Sequence, residues 1–226
     1  MSVTYHPNVI QGSDEWLALR TGLLTASEMK LILTPTLKVA NNDKERAHLY
    51  ELLAQRITGY VEPSYVSDDM LRGRDDELEA RSLHEKHVAP VQEVGFITND
   101  KWGFTLGYSP DGLVGEDGLI ECKSRRQKYQ VQTIVLREIP QDYVLQLQTG
   151  LLVSERKWID FITYSGGLPM MTVRAYPDPE IQDAIIAAAT AFEKRLAEAH
   201  ERYLETLETM PTLIATERRV ESEMYV

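Results

Sequence analysis

The sequence contains one cysteine, Cys122. That excludes an intrachain disulfide framework and a four-cysteine zinc or iron–sulfur site, and it makes a reducing cytoplasm the natural compartment. Long apolar runs are also lacking: no stretch reaches the roughly 18 to 20 residues needed to cross a bilayer. The opening MSVTYHPNVIQGSDEW lacks the basic-then-apolar layout of a signal peptide. A soluble intracellular protein is therefore expected. Basic residues are in deficit, with 24 Lys and Arg against 35 Asp and Glu, for a net charge of -11. This argues against a general nucleic-acid coating protein, which carries a basic face. It does not exclude a nuclease, because a metal site needs carboxylates and an acidic exterior can surround a basic channel. Repeats, low-complexity tracts and evident linkers are absent, so 1–226 reads as a single domain.

What is present alternates between helical and strand texture. Ser13 reads as the N-cap of a short helix ending at Gly22, and Thr25-Ala-Ser-Glu28 as a capping box opening a second helix that Pro35 stops. Residues 43 to 58 have amphipathic spacing closed by Gly59, and a further helix is expected from about 67 to 89. Val91 to Ile97, Trp102 to Tyr108 and Gly118 to Lys123 read as strands, with Asn99-Asp100 as a turn between the first two. Residues 141 to 153 return to helical spacing. Lys157 to Tyr164 and Met170 to Tyr176 form a hairpin around Ser165-Gly166-Gly167. One long helix is expected from Asp178 to about Thr209. The order indicates an α/β or α+β domain.

The chemistry concentrates between Ser109-Pro-Asp-Gly112 and Ile120-Glu-Cys-Lys123. Asp111 sits in a turn. Glu121 and Lys123 are two apart on a strand, so they share a face. If the flanking strands pair, Asp111 meets them across the sheet. Two carboxylates suit Mg²⁺ or Mn²⁺, which prefer oxygen ligands. Cys122 points away but offers its backbone carbonyl. Lys123 suits a developing phosphorane charge or a metal-bound hydroxide. Lys123, Arg125, Arg126 and Lys128 form a basic run that either lines a DNA channel or is a solvated turn. An Asp-Gly turn before a Glu-x-Lys strand is also common as a solvated hairpin, and spacing alone leaves both readings open.

The motifs taken together resemble a known family. Pro110-Asp111 followed by Glu121-Cys122-Lys123 resembles the PD-(D/E)xK nuclease superfamily. Trp16-Leu-Ala-Leu-Arg20, Thr25-Ala-Ser-Glu28, Gly73-Arg-Asp-Asp-Glu77 and Gln146-Leu-Gln148, in that order around it, make the chain similar to the YqaJ-type viral recombinase family, to which phage lambda exonuclease belongs. The resemblance covers roughly residues 12 to 165. It implies a restriction-endonuclease-like core: a mixed central sheet flanked by helices, with N-terminal helices and a long C-terminal helix. It implies that Asp111, Glu121, Glu77 and the Cys122 carbonyl hold two Mg²⁺ or Mn²⁺ ions, Asp111 bridging them, while Lys123 assists the nucleophilic water. Glu77 is preferred over Asp75, Asp76 and Glu79 for its spacing after Gly73. Arg20, Ser27 and Ser109 would hold a 5′-terminal phosphate, for which the forked guanidinium and N–H groups at a helix start are suited. Gln148 or Gln146 would act near the scissile phosphate. The motif's middle position is often aliphatic and here is Cys122, a change tolerated if only the carbonyl binds.

The implied activity is a 5′→3′ exonuclease that degrades one strand of linear double-stranded DNA and leaves a 3′ tail for recombination by strand annealing. A homotrimeric ring, a single-strand annealing protein as partner, and a phage or prophage gene expressed in a bacterial cytoplasm follow from the same resemblance. The alternative within the superfamily is a structure- or sequence-specific endonuclease. Outside the enzymes, it is a DNA-end scaffold with a vestigial site, against which the intact trio argues. His84 and His87 are three apart and lack zinc-protease spacing, so they read as structural. Trp16, Trp102 and Trp158 read as core.

Overall fold

The computed structural model describes residues 2–63 and 68–218. Ser13 accepts a hydrogen bond from the Trp16 N–H at 3.3 Å and so caps α1 (Asp14–Arg20). The Thr25–Glu28 capping box forms, but it opens only a 3-10 turn (Ala26–Glu28) and the single-turn α2 (Met29–Ile32). Asn42 caps α3 (Asp43–Thr58), which Gly59 ends at φ +64°. The fourth helix, α4, is Asp68–His87. Residue 67, where that helix was expected to begin, lies outside the described residues. After α5 (Gln127–Leu136) and α6 (Gln141–Ser154) comes α7 (Pro179–Thr209), whose 31 residues span about 46 Å. Asp178 caps α7, and Ile185, Ala188, Ala189, Phe192, Leu196 and Ala199 mark its buried stripe.

Among the described residues, eight strands form two four-stranded mixed sheets rather than the one central sheet expected. The first contains β1 (Val3–His6), β3 (Phe96–Asn99), β4 (Leu106–Tyr108) and β2 (Leu24–Thr25), in that spatial order. The second runs β5 (Gly112–Val114), β6 (Gly118–Ser124), β7 (Trp158–Tyr164), β8 (Met171–Ala175). The division falls at Ser109-Pro110-Asp111, between β4 and β5. Pro110 has no N–H to donate to a ladder, and its carbonyl accepts from Gln11 Nε2 at 2.8 Å instead. β6 and β7 are parallel, joined by a crossover through α5 and α6, and β7 returns antiparallel into β8.

Two expected strands are shorter than their apolar runs. Val91–Ile97 yields strand only from Phe96, and Trp102–Tyr108 only from Leu106. A Cβ on Gly95 would lie 1.8 Å from the Val9 carbonyl oxygen, so the chain there is pressed against the N-terminal segment. Gly103, at φ +84°, closes a turn onto Asp100.

The larger core includes Leu24, Met29, Leu52, Leu106, Phe161 and Phe192. A smaller one lies where α4 crosses the second sheet: Ala80, Val114, Ile120, Cys122 and Ile162. α6 touches β3 and β4 of the first sheet and β7 of the second, and so ties the sheets together.

Candidate active site

The β5–β6 hairpin pairs Gly112 with Ile120, which brings the preceding residue, Asp111, beside Glu121. The Asp111 N–H donates to the Ile120 carbonyl at 3.2 Å, and Asp111 Oδ2 accepts from the Cys122 N–H at 2.6 Å. Strand alternation sends Ile120 and Cys122 into the core under α4. Glu121 and Lys123 project to the other face, where Lys123 Nζ lies 2.7 Å from Glu121 Oε1. Glu121 is buried and held from three sides. Tyr108 donates its phenolic O–H to Oε2 at 2.8 Å, and Gln146 Nε2 donates to Oε1 at 2.5 Å alongside Lys123.

Glu77 reaches the same ammonium from α4, with its Oε1 at 3.8 Å from Lys123 Nζ. Its acidic neighbours are engaged elsewhere: Asp76 accepts from the Ser124 hydroxyl, and Asp75 and Glu79 are exposed. Of that acidic group it is Glu77 that pairs with Lys123.

Three carboxylates thus surround one cation. Burial pushes Asp111 up to about 8, repulsion from Glu121 adds to the rise, and Lys123 opposes it. Burial also raises Glu77, against the pull of Lys123. For Lys123 the order is different: burial lowers its pKa, but Glu121, Asp111 and Glu77 together outweigh burial and hold the ammonium charged. Burial and then Glu121 raise Tyr108 well above the ordinary phenol value, so it stays a hydrogen-bond donor. Burial, reinforced by Asp111, also raises the Cys122 thiol, which is therefore no nucleophile.

The end-binding candidates also converge. Arg20, the last residue of α1, places Nη1 at 3.4 Å from the Ser109 hydroxyl and Nη2 at 3.2 Å from Thr25 Oγ1. Thr25 Oγ1 is 3.3 Å from Ser27 Oγ. The Trp16 ring, one turn earlier on α1, lies under the guanidinium at 4.4 Å, and its N–H donates to Ser109 at 2.9 Å. Trp16 is half-buried and positions polar groups, whereas Trp102 and Trp158 pack against the larger and smaller cores as expected, Trp158 also stacking on Arg174. Ser27 stands in the 3-10 turn, so the expected helix start supplies less than a full turn of aligned N–H groups.

The two glutamines separate. Gln146 faces Glu121, whereas Gln148 is buried against the start of α7, donating to the Tyr176 carbonyl at 2.9 Å and accepting from the Asp178 N–H at 2.9 Å. The basic run opens α5 and borders an open cleft of about 320 Å³, lined among others by Glu77, Lys123, Arg125, Arg126, Tyr129 and Tyr143. Arg125 donates to the Tyr143 hydroxyl at 3.0 Å and lies over the Tyr129 and Tyr143 rings; Lys128 lies over Tyr129. The two histidines part company: His84 is buried 3.6 Å from Asp160, and His87 is exposed.

Tyr108, Tyr129, Tyr143 and Thr25 join the site without having been expected there. Thr25 stands inside a quoted motif, where it reads as a helix cap, and Tyr108 lies beside another, but an aromatic in an apolar strand reads first as core. The tyrosines of α5 and α6 come together only through the crossover.

The same architecture occurs in solved exonucleases. An alkaline exonuclease, LHK-Exo from Laribacter hongkongensis, superposes with a TM-score of 0.78 at 28% identity, covering 88% of this chain and 100% of that one. Its crystal structure with dAMP gives 0.72 at 30% identity, covering 85% and 99%. A phage-related exonuclease from Haemophilus somnus 129PT shares the fold alone, at 15% identity and TM-score 0.52, covering 78% and 96%. No curated protein matches significantly. The fold class is therefore the α+β architecture of the alkaline exonucleases. Within it, the chain belongs to the family of the YqaJ-like viral recombinase domain, whose model matches residues 15–157.

Proposed function

We propose that this protein is a divalent-metal-dependent 5′→3′ exonuclease acting on linear double-stranded DNA. One observation carries the reading. Ser109 belongs to the Arg20 cluster and Asp111 to the carboxylate cluster, so only Pro110 separates a cluster suited to a terminal phosphate from one suited to hydrolysis.

The donor set fits a hard cation. Among the described residues no group of three or more His, Cys, Asp or Glu side chains is gathered closely enough to hold a metal ion by itself, so backbone oxygen and water would complete any coordination shell. Asp111, Glu121 and the Cys122 carbonyl are all oxygen donors, which suits Mg²⁺ or Mn²⁺ retaining several waters, with Glu77 serving a second ion. When bound, such ions supply charge neutralisation at the phosphate and a more acidic water. The chain's own residues do the rest. Arg20, Ser27 and Ser109 hold the terminal 5′ phosphate. Lys123 donates to the attacking water's oxygen and to the charge that develops on the scissile phosphate. Gln146 fixes Glu121. Arg125, Arg126 and Lys128 take the following phosphates. Water attacks phosphorus and gives up a proton, the P–O3′ bond breaks, and the departing 3′ oxygen takes up a proton in exchange, by way of solvent. The shortened strand carries a new 5′ phosphate, which fits the Arg20 cluster again.

The reading includes a single exonuclease domain, a homotrimeric ring, a single-strand annealing partner and a role in recombination in a bacterial cytoplasm. The single domain rests on the absence of evident linkers, and the rest on the family resemblance. Incubation of linear and covalently closed duplexes with Mg²⁺ tests the central activity. Linear DNA alone should be degraded; equal loss of both would mark an endonuclease.

A further inference from the structure

Glu121 owes its orientation to three donors, and one of them comes from the other sheet. Lys123 and Gln146 both meet Oε1, and the Tyr108 hydroxyl alone meets Oε2, at 2.8 Å. A carboxylate offers about four lone-pair sites. With three taken, one lone pair on Oε2 has no partner among the described residues, and Tyr108 fixes which way it points. Tyr108 is 1% exposed, so its ring has no freedom to seek another pose. What admits the ring is a missing side chain. A Cβ on Gly150 of α6 would lie 2.8 Å from both Cε1 and Cζ of Tyr108. Contacts that close require the ring or the helix to move.

We propose that Tyr108 is a positioning residue for metal binding, and that Gly150 is the socket holding its ring in register with Glu121. The inference rests on the metal-dependent reading of the site. Tyr108→Phe keeps the ring and removes only the hydroxyl. Partners one step removed from a metal are worth about 10–100-fold in affinity or activity. Mn²⁺ titration, with free ion measured by electron paramagnetic resonance and no DNA present, should show Kd rising about tenfold in Tyr108→Phe. Gly150→Ala should show the same weakening with the hydroxyl still present. A core variant remote from the site, Phe192→Leu, controls for general loosening and should bind Mn²⁺ as the wild type does. If Gly150→Ala does not fold, Tyr108→Phe decides alone. Wild-type affinity in folded Tyr108→Phe overturns the proposal and leaves the nuclease reading standing. Absence of Mn²⁺ binding by the wild type overturns both.

Discussion

Arg20 Nη1 lies 3.4 Å from the hydroxyl of Ser109, although the two residues are 89 positions apart in sequence. That contact closes the last turn of α1 onto the link between the two sheets. Arg20→Ala should therefore abolish discrimination for a 5′-phosphorylated end. Charged hydrogen bonds contribute about 1.5–3 kcal/mol each, so the preference should fall by roughly 10- to 100-fold. Competition between 5′-phosphate and 5′-hydroxyl duplexes measures it. An unchanged preference would contradict the assignment of Arg20.

Metal binding should release protons. Asp111, raised to about 8 from its ordinary 3.8, is largely protonated at pH 7 in the metal-free protein. A bound cation needs the carboxylate. Titration calorimetry in buffers of different ionisation enthalpy should detect up to about one proton released at pH 7 from this group, vanishing as pH rises past about 9. The same shift sets a sign for stability. A raised carboxyl favours the folded state below its unfolded pKa, and that contribution is lost as pH rises through about 8. Metal-free protein should melt at a lower temperature at pH 8 than at pH 6, and Mg²⁺ should reverse the loss.

Gln146 and Gln148 should fail in different ways. Gln146→Ala removes a donor from Glu121 and should lower kcat by about tenfold or more while leaving the melting temperature nearly unchanged. Gln148→Ala leaves the Tyr176 carbonyl and the Asp178 N–H without their partner, at about 1–3 kcal/mol each. It should lower stability and spare turnover per folded molecule. The opposite pattern would exchange their roles.

Cys122 should resist thiol reagents. It is fully buried and its thiol is held neutral, so iodoacetamide should modify it only after unfolding. Mass spectrometry of native and denatured samples provides the comparison.

Local pattern was legible where a period decides it, and long-range pairing was not. Strand alternation alone put Glu121 and Lys123 on one face and Cys122 on the other, because a period of two allows nothing else. The hairpin that carries Asp111 to them was only conditional, since β5 is three residues long and hidden in a turn-rich segment. Glu77 was separable from Asp75 and Asp76 by motif spacing; the structure adds that Asp76 is taken by Ser124. The split into two sheets was not legible, because it depends on which strand β4 pairs with, a matter of long-range register. The helix α5 was not legible because it carries no apolar stripe: its buried residues, Gln130 and Thr133, are polar. Gln146 and Gln148 could not be told apart by type. They lie two apart on a helix, and such residues face different neighbours.

A linear duplex labelled at the 5′ phosphate of one strand and the 3′ end of the other tests the proposed directional hydrolysis from a 5′ end, in Mg²⁺, with Asp111→Ala as control. The 5′ label should leave first as a mononucleotide, the 3′ label should persist in long single strands, and the control should release neither. Early release of the 3′ label, or full activity of Asp111→Ala, would contradict the account.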